Sequence, residues 1–149
     1  MNALLTVTSG AKREFLFALV WGIEALTTAA FAQTVGGPRI PPAYQAPAQY
    51  VARLPKYCYG QFVDGSLLND PEYSIPKQCG AWMNHFCVGL IHLMKAGQVS
   101  FSKSQRQVFA KYAASDIAYT LQHMEAGCPM KAEVDTAKAR ANILLTLLK

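Results

Sequence analysis

From residue 50 to the C-terminus, apolar side chains return at three- and four-residue steps, the spacing that places them on one face of a helix. Four helical pieces are predicted. The first covers residues 48–61 and is interrupted at Pro55, where the ring removes a backbone donor and can divide the piece into two short segments. A loop, "VDGSLLNDPEYSIP", follows with Asp-Gly and Asn-Asp-Pro turn signals. The second helix is expected over residues 77–96 and closes at Gly97, with Gly80 weakening its first turn. The third opens at Ser102 or Ser104, either of which can cap it. Its stripe is Val108, Phe109, Tyr112, Ala113, Ile117, Leu121 and Met124, with Asp116 and Thr120 as polar members, and Gly127-Cys128-Pro129 ends it. The fourth starts near Lys131, where Glu133 and Asp135 suit the positive end of the helix dipole. Val134, Ala137, Ala141, Leu144, Leu145 and Leu148 form its apolar face. No stretch alternates as a strand would. The fold class expected is all-α: a compact bundle of about four helices arranged as antiparallel hairpins.

The N-terminal third follows a different pattern. Lys12 and Arg13 precede an apolar run that ends in Ala30-Phe31-Ala32. A basic segment, an apolar segment and small residues before a cleavage point make an export signal. Residues 1–32 are therefore read as a cleaved signal peptide, with a retained N-terminal membrane anchor as the alternative. Glu24 lies inside the run, and the stretch from residue 15 to 32 is close to the lower length limit for a bilayer span. Either reading exports the remainder, and membrane contact would run through residues 14–32. Residues 33–49, "QTVGGPRIPPAYQAPAQ", read as a Pro/Gly/Ala-rich linker ahead of a helical domain at 50–149.

Composition narrows the class. A chain of 149 residues, 52% hydrophobic and 15% charged, is globular and has room for one small domain. Its formal charge of +5 does not change when residues 1–32 are removed, because Lys12 and Arg13 offset Glu14 and Glu24. The basic residues are scattered, with no run or single face of the kind nucleic-acid binding needs. No nucleic-acid partner is expected.

All four cysteines, Cys58, Cys79, Cys87 and Cys128, lie in the exported part. An even number in a small exported domain implies two disulfides. No CxxC or CxxCH spacing occurs, so neither a thioredoxin-type redox motif nor covalent c-type haem attachment is indicated. Cys79 and Cys87 are eight apart on one predicted helix, about 12 Å along its axis, whereas a disulfide needs Cα atoms within about 7 Å. In the hairpin of the second and third helices, facing residues pair Cys79 with Cys128. That leaves Cys58 with Cys87; Cys58 with Cys79 is the competing choice.

The stretch "MNHFCVGLIHLMKAG" carries the sharpest chemical candidate. Imidazole and soft sulfur suit copper, and His85 and His92 share a helix face. They are also about 10 Å apart along the axis, too far to meet on one ion. A Cys87 tied in a disulfide is no ligand, and Met83 and Met94 serve equally as core filler. The reading taken is a core helix with no metal, leaving His85 and His92 as bare candidates and no cofactor expected. The cysteines lack the close pair a zinc site needs. Ser100-Phe101-Ser102-Lys103 matches S-x-x-K without the partner motifs that give it meaning. His123 and Asp116 are too far apart to act as base and orienter. No catalytic set is assembled, and the chain is read as not an enzyme. Asp116, inside an apolar stripe, is either at its edge or paired with Lys95, Arg106 or a histidine of the second helix.

At "HFCVGLIHLMKAG … FAKYAASDIAYTLQHMEAGCP" the chain resembles a single tetratricopeptide-type helical hairpin. Gly89 stands at the small position facing the next helix, while Ala110, Ala113 or Ala114 and Tyr119 match the small and aromatic helix-packing positions of the second. Leu54-Pro55-Lys56-Tyr57-Cys58 and Met83-Asn84-His85-Phe86-Cys87-Val88-Gly89-Leu90 are similar to small exported proteobacterial proteins with LPxYC and MNHFCxGL motifs. The resemblance implies a protein-interaction module without enzymatic activity. One repeat cannot build a solenoid, so the chain would act as a compact unit or dock on another protein. The function expected is an exported, non-enzymatic protein-interaction module, an accessory component of a periplasmic or membrane-associated assembly, located in the periplasm either soluble or anchored to the inner membrane. The alternatives are a small subunit anchored by one transmembrane helix in a respiratory or photosynthetic complex, and periplasmic copper or haem handling.

Overall fold

The computed structural model describes residues 44–149, which form α-helices and 3₁₀ turns; no strand occurs among the described residues. The fold is all-α. The interrupted piece over residues 48–61 is two short helices, α1 (Ala48–Val51) and α2 (Tyr59–Phe62), separated by a 3₁₀ turn, Lys56–Cys58. Pro55 accounts for the break. Its ψ of 147° takes the chain out of the helical region, and it has no N–H to continue a ladder.

The second helix departs from expectation. It begins only at Asn84, as α3 (Asn84–Gly97), after two 3₁₀ turns, Lys77–Cys79 and Ala81–Met83. Gly80, between those turns, has φ +84°, a conformation side chains disfavour. A Cβ at Gly80 would also lie 3.2 Å from Glu125 Cγ. The glycine turns the chain so that Cys79 reaches the segment holding Cys128, where the Glu125 N–H donates to the Cys79 carbonyl. Cys79 and Cys87 thus belong to different elements, which corrects the premise of a shared helix. The bonds formed are nonetheless Cys58–Cys87 and Cys79–Cys128, with Cα separations of 5.7 and 4.3 Å.

α4 (Lys103–His123) opens on a capping box at Ser102. The Ser102 hydroxyl accepts from the Gln105 N–H, and the Gln105 side chain accepts from the Ser102 N–H. This satisfies two otherwise orphaned donors. The helix stops at His123, four residues before the predicted Gly127, because Met124 turns extended with ψ 136°. The connection through Cys128 leads into α5 (Lys131–Leu147). Consecutive helices joined by short connections pack as two hairpins, with α4 against both α3 and α5.

That central position rotates the stripe of α4 away from the one predicted. Its buried residues are Ala110, Ala113, Ile117 and Thr120, whereas Val108 and Tyr112 are exposed. A helix covered on two sides keeps small side chains on its midline and sends the large ones to its edges. The main core joins Met83, Phe86, Leu93, Ala113, Ile117 and Val134 around the Cys79–Cys128 bridge. A second core gathers Tyr50, Leu54, Phe62 and Ile91 around Cys58–Cys87.

Two residues of the stretch read as linker are packed. Tyr44 packs edge-on against Phe62, with ring centroids 6.1 Å apart, and accepts a hydrogen bond from Asn84 Nδ2. Ala46 also packs against the second core, while residues 45 and 47–49 are exposed. The signal or anchor at 1–32 and the linker at 33–43 lie outside the described residues. Among the described residues no helix is long and apolar enough to cross a membrane.

Candidate functional site

The seam between α3 and α4 is set by Gly89. A Cβ there would stand 2.8 Å from Ile117 Cγ1 and 3.3 Å from Asp116 Cβ, so only glycine allows this approach without displacement. The close crossing brings Asp116 of α4 between two histidines of α3. His92 Nδ1 lies 3.0 Å from Asp116 Oδ2, and His85 Nδ1 lies 3.6 Å from Oδ1. Each imidazole thus faces its own carboxylate oxygen. The three side chains are partly exposed, 38% for His85, 23% for His92 and 22% for Asp116.

Asp116 is therefore neither a free edge residue nor partnered by Lys95 or Arg106. The Lys95 ammonium lies over the rings of Tyr50 and Phe109, at 5.4 and 5.5 Å from their centroids. Arg106 Nε donates to the Ala96 carbonyl, closing the C-terminal end of α3. The partners of Asp116 are two histidines of the second helix, which share the carboxylate. The i, i+7 histidine spacing centred on a glycine, opposite a carboxylate in a helical stripe, was the signal for this arrangement.

Aromatic rings continue the seam on both sides. Tyr119 lies against His85 and His123, with centroids 4.4 and 4.1 Å away. Trp82 meets Tyr119 and His123 at 5.8 and 5.7 Å. At the other end His92 contacts Tyr112 at 5.4 Å. All three histidines of the chain occupy this one seam. His123 Nδ1 donates to the Tyr119 carbonyl, which holds that ring in place. Trp82 and Tyr112 remain about half exposed, at 48% and 54%.

The soft-ligand set suggested by "MNHFCVGLIHLMKAG" is dispersed. Cys87 is oxidised to a disulfide, Met83 is in the main core, and Met94 packs against the second core. Among the described residues no group of three His, Cys, Asp or Glu side chains is arranged to hold a metal ion. What the seam offers chemically is a charged and aromatic surface whose rings are positioned by their neighbours.

Fold and seam together define a disulfide-stapled helical bundle with one aromatic and imidazole face. No protein-family model matches the chain, and no curated protein or solved structure matches it.

Proposed function

We propose that the chain is an exported, non-enzymatic protein-interaction module, an accessory component of a periplasmic or membrane-associated assembly, and that the α3–α4 seam is its docking face. The observation that carries this reading is the row of rings from Trp82 through Tyr119, His85 and His92 to Tyr112, exposed at both ends. Trp and Tyr dominate binding hot spots because they present large, stiff, amphipathic surface at little entropic cost. Two disulfides in a domain of this size suit an oxidising compartment. The tetratricopeptide-type resemblance of the same two helices points to the same class of role.

The test begins with photo-crosslinking from positions 82 and 112 in intact cells, followed by mass spectrometry. The captured protein is then titrated as a purified component. Trp82→Ala and Tyr112→Ala should each weaken binding by about fivefold or more, the 1 kcal/mol that marks a residue contributing to an interface. Ile143→Ala, on exposed α5 surface, should leave binding unchanged. Equal affinity for all three variants would overturn the proposed face. The intact mass of the purified protein separates cleaved from anchored forms, since cleavage after Ala32 starts the chain at Gln33.

A further inference from the structure

The short elements ahead of α3 enclose a second feature, a cleft of about 700 Å³. Ligand pockets commonly span roughly 300–1,000 Å³. One wall includes Tyr57 and Gly60, the loop supplies Leu68 and Ile75, and Met83 lies at the start of α3. These groups are mostly apolar, and both disulfides flank them. Tyr57 adjoins Cys58, bonded to Cys87, and the lining residue Gly80 adjoins Cys79, bonded to Cys128. The loop is held in turn by a Lys56–Glu72 ion pair and by Leu68 seated on Gly60, where a Cβ would fall 2.6 Å from Leu68 Cδ2. Walls pinned at so many points resist collapse into the cavity, the condition for a pre-formed site.

Lys77, Ser74 and Tyr44 supply donors to the cleft, while Asn84 Oδ1, also among its lining residues, is a buried acceptor with no hydrogen-bond partner among the described residues. Lys77 is the one charged side chain among the described lining residues. Among the described residues its ammonium has no ion-pair partner, and the Ser74 hydroxyl has no hydrogen-bond partner. The Tyr44 hydroxyl accepts from Asn84 Nδ2 and so retains its own O–H for an acceptor. No described carboxylate lines the cleft to compete for these donors.

We infer that this cleft binds a small amphipathic carboxylate, with its apolar body against Leu68, Ile75 and Met83 and its anionic head at Lys77. This activity is separate from the docking face on the α3–α4 seam and stands or falls independently of it.

Full-length, disulfide-intact ¹⁵N-labelled protein is titrated with decanoate and with 4-phenylbutyrate, which distinguish an alkyl from an aromatic body. Decanol serves as the neutral control. The amides of Gly60, Gly65 and Gly80 line the cleft and report occupancy, while Gly127 lies outside it. The expected result is saturable shifts at the three cleft glycines with Gly127 still, for at least one of the two acids. Lys77→Met, at an exposed position, should weaken that acid by about threefold, the scale of an exposed ion pair, and leave decanol unchanged. Ala81→Trp should fill the cleft and abolish binding of the acid. If that variant fails to fold, Lys77→Met alone decides. Absence of saturable shifts with both acids up to millimolar concentration would overturn the inference. So would shifts centred on Gly127, or an equal response of acid and alcohol to Lys77→Met.

Discussion

Replacing Gly89 with alanine sets two opposing free energies against each other inside one helix. Alanine is favoured over glycine in a helix interior by about 1 kcal/mol. The added methyl would stand 2.8 Å from Ile117 Cγ1 and 3.5 Å from the Ile117 backbone nitrogen. Ile117 is fully buried, and Cγ1 sits near the root of its side chain, so the contact is not relieved by a terminal rotation. Overpacking of this kind costs about 1–3 kcal/mol, leaving a net destabilisation of about 1 kcal/mol. For a domain of this size that lowers Tm by about 4–8 °C, readable by circular dichroism under oxidising conditions. The decisive arm is the background. Ile117→Ala alone destabilises by about 2–5 kcal/mol, but it removes the atom that blocks the new methyl. In that background Gly89→Ala should become stabilising, giving a coupling of about 2 kcal/mol in a double-mutant cycle. A Tm that rises in the native background, or the same loss in both backgrounds, would refute the assignment of Gly89 as the contact that sets the seam.

The two disulfides close loops with sequence separations of 29 and 49. Chain entropy then makes each worth about 4 kcal/mol, a large part of a small domain's stability. Urea melts of Cys58→Ala/Cys87→Ala and Cys79→Ala/Cys128→Ala should show losses of this order, and a loss below about 1 kcal/mol in either would contradict the account. Burial pushes the Tyr57 phenol well above the usual tyrosine range, and its hydrogen bond to Glu133 adds to the shift. A raised folded value means Tyr57 contributes stability below its unfolded pKa, near 10. That contribution falls away as pH climbs beyond this point. Tyr57→Phe should therefore flatten the alkaline loss of stability above about pH 10, measured by denaturant melts across pH 8–12. An unchanged slope would show that Tyr57 ionises as freely folded as unfolded.

Helical periodicity was legible because α4 and α5 are long enough for many repeats of an apolar stripe, and cap chemistry placed their starts near Ser102 and Lys131. The disulfide partners were legible too, since hairpin register depends on turn position more than on the state of each residue. What local pattern could not show was Gly80. Nothing nearby announces a positive φ there. There the chain meets a segment some forty-five residues away, where a Cβ on Gly80 would lie 3.2 Å from Glu125 Cγ. The outward turn of Val108 and Tyr112 was hidden for a related reason. Which face of α4 is covered depends on α3 and α5 both reaching it, and an isolated stripe does not record how many neighbours it has.

The same non-local cause explains the candidate site. His85 and His92 stand two turns apart on α3, too far to meet on one ion by themselves. A carboxylate from the opposite helix spans that distance, provided the backbones come close enough, and Gly89 midway between the histidines supplies that closeness. The glycine therefore serves packing and surface chemistry together. It lets Ile117 fill the core while Asp116, one residue earlier, reaches the edge between the two imidazoles. A seam tied in this way holds its rings in fixed positions before a partner arrives. Binding then loses less side-chain entropy, on the order of 0.5–1.5 kcal/mol for each residue already ordered. That saving is the physical argument behind the proposed docking face.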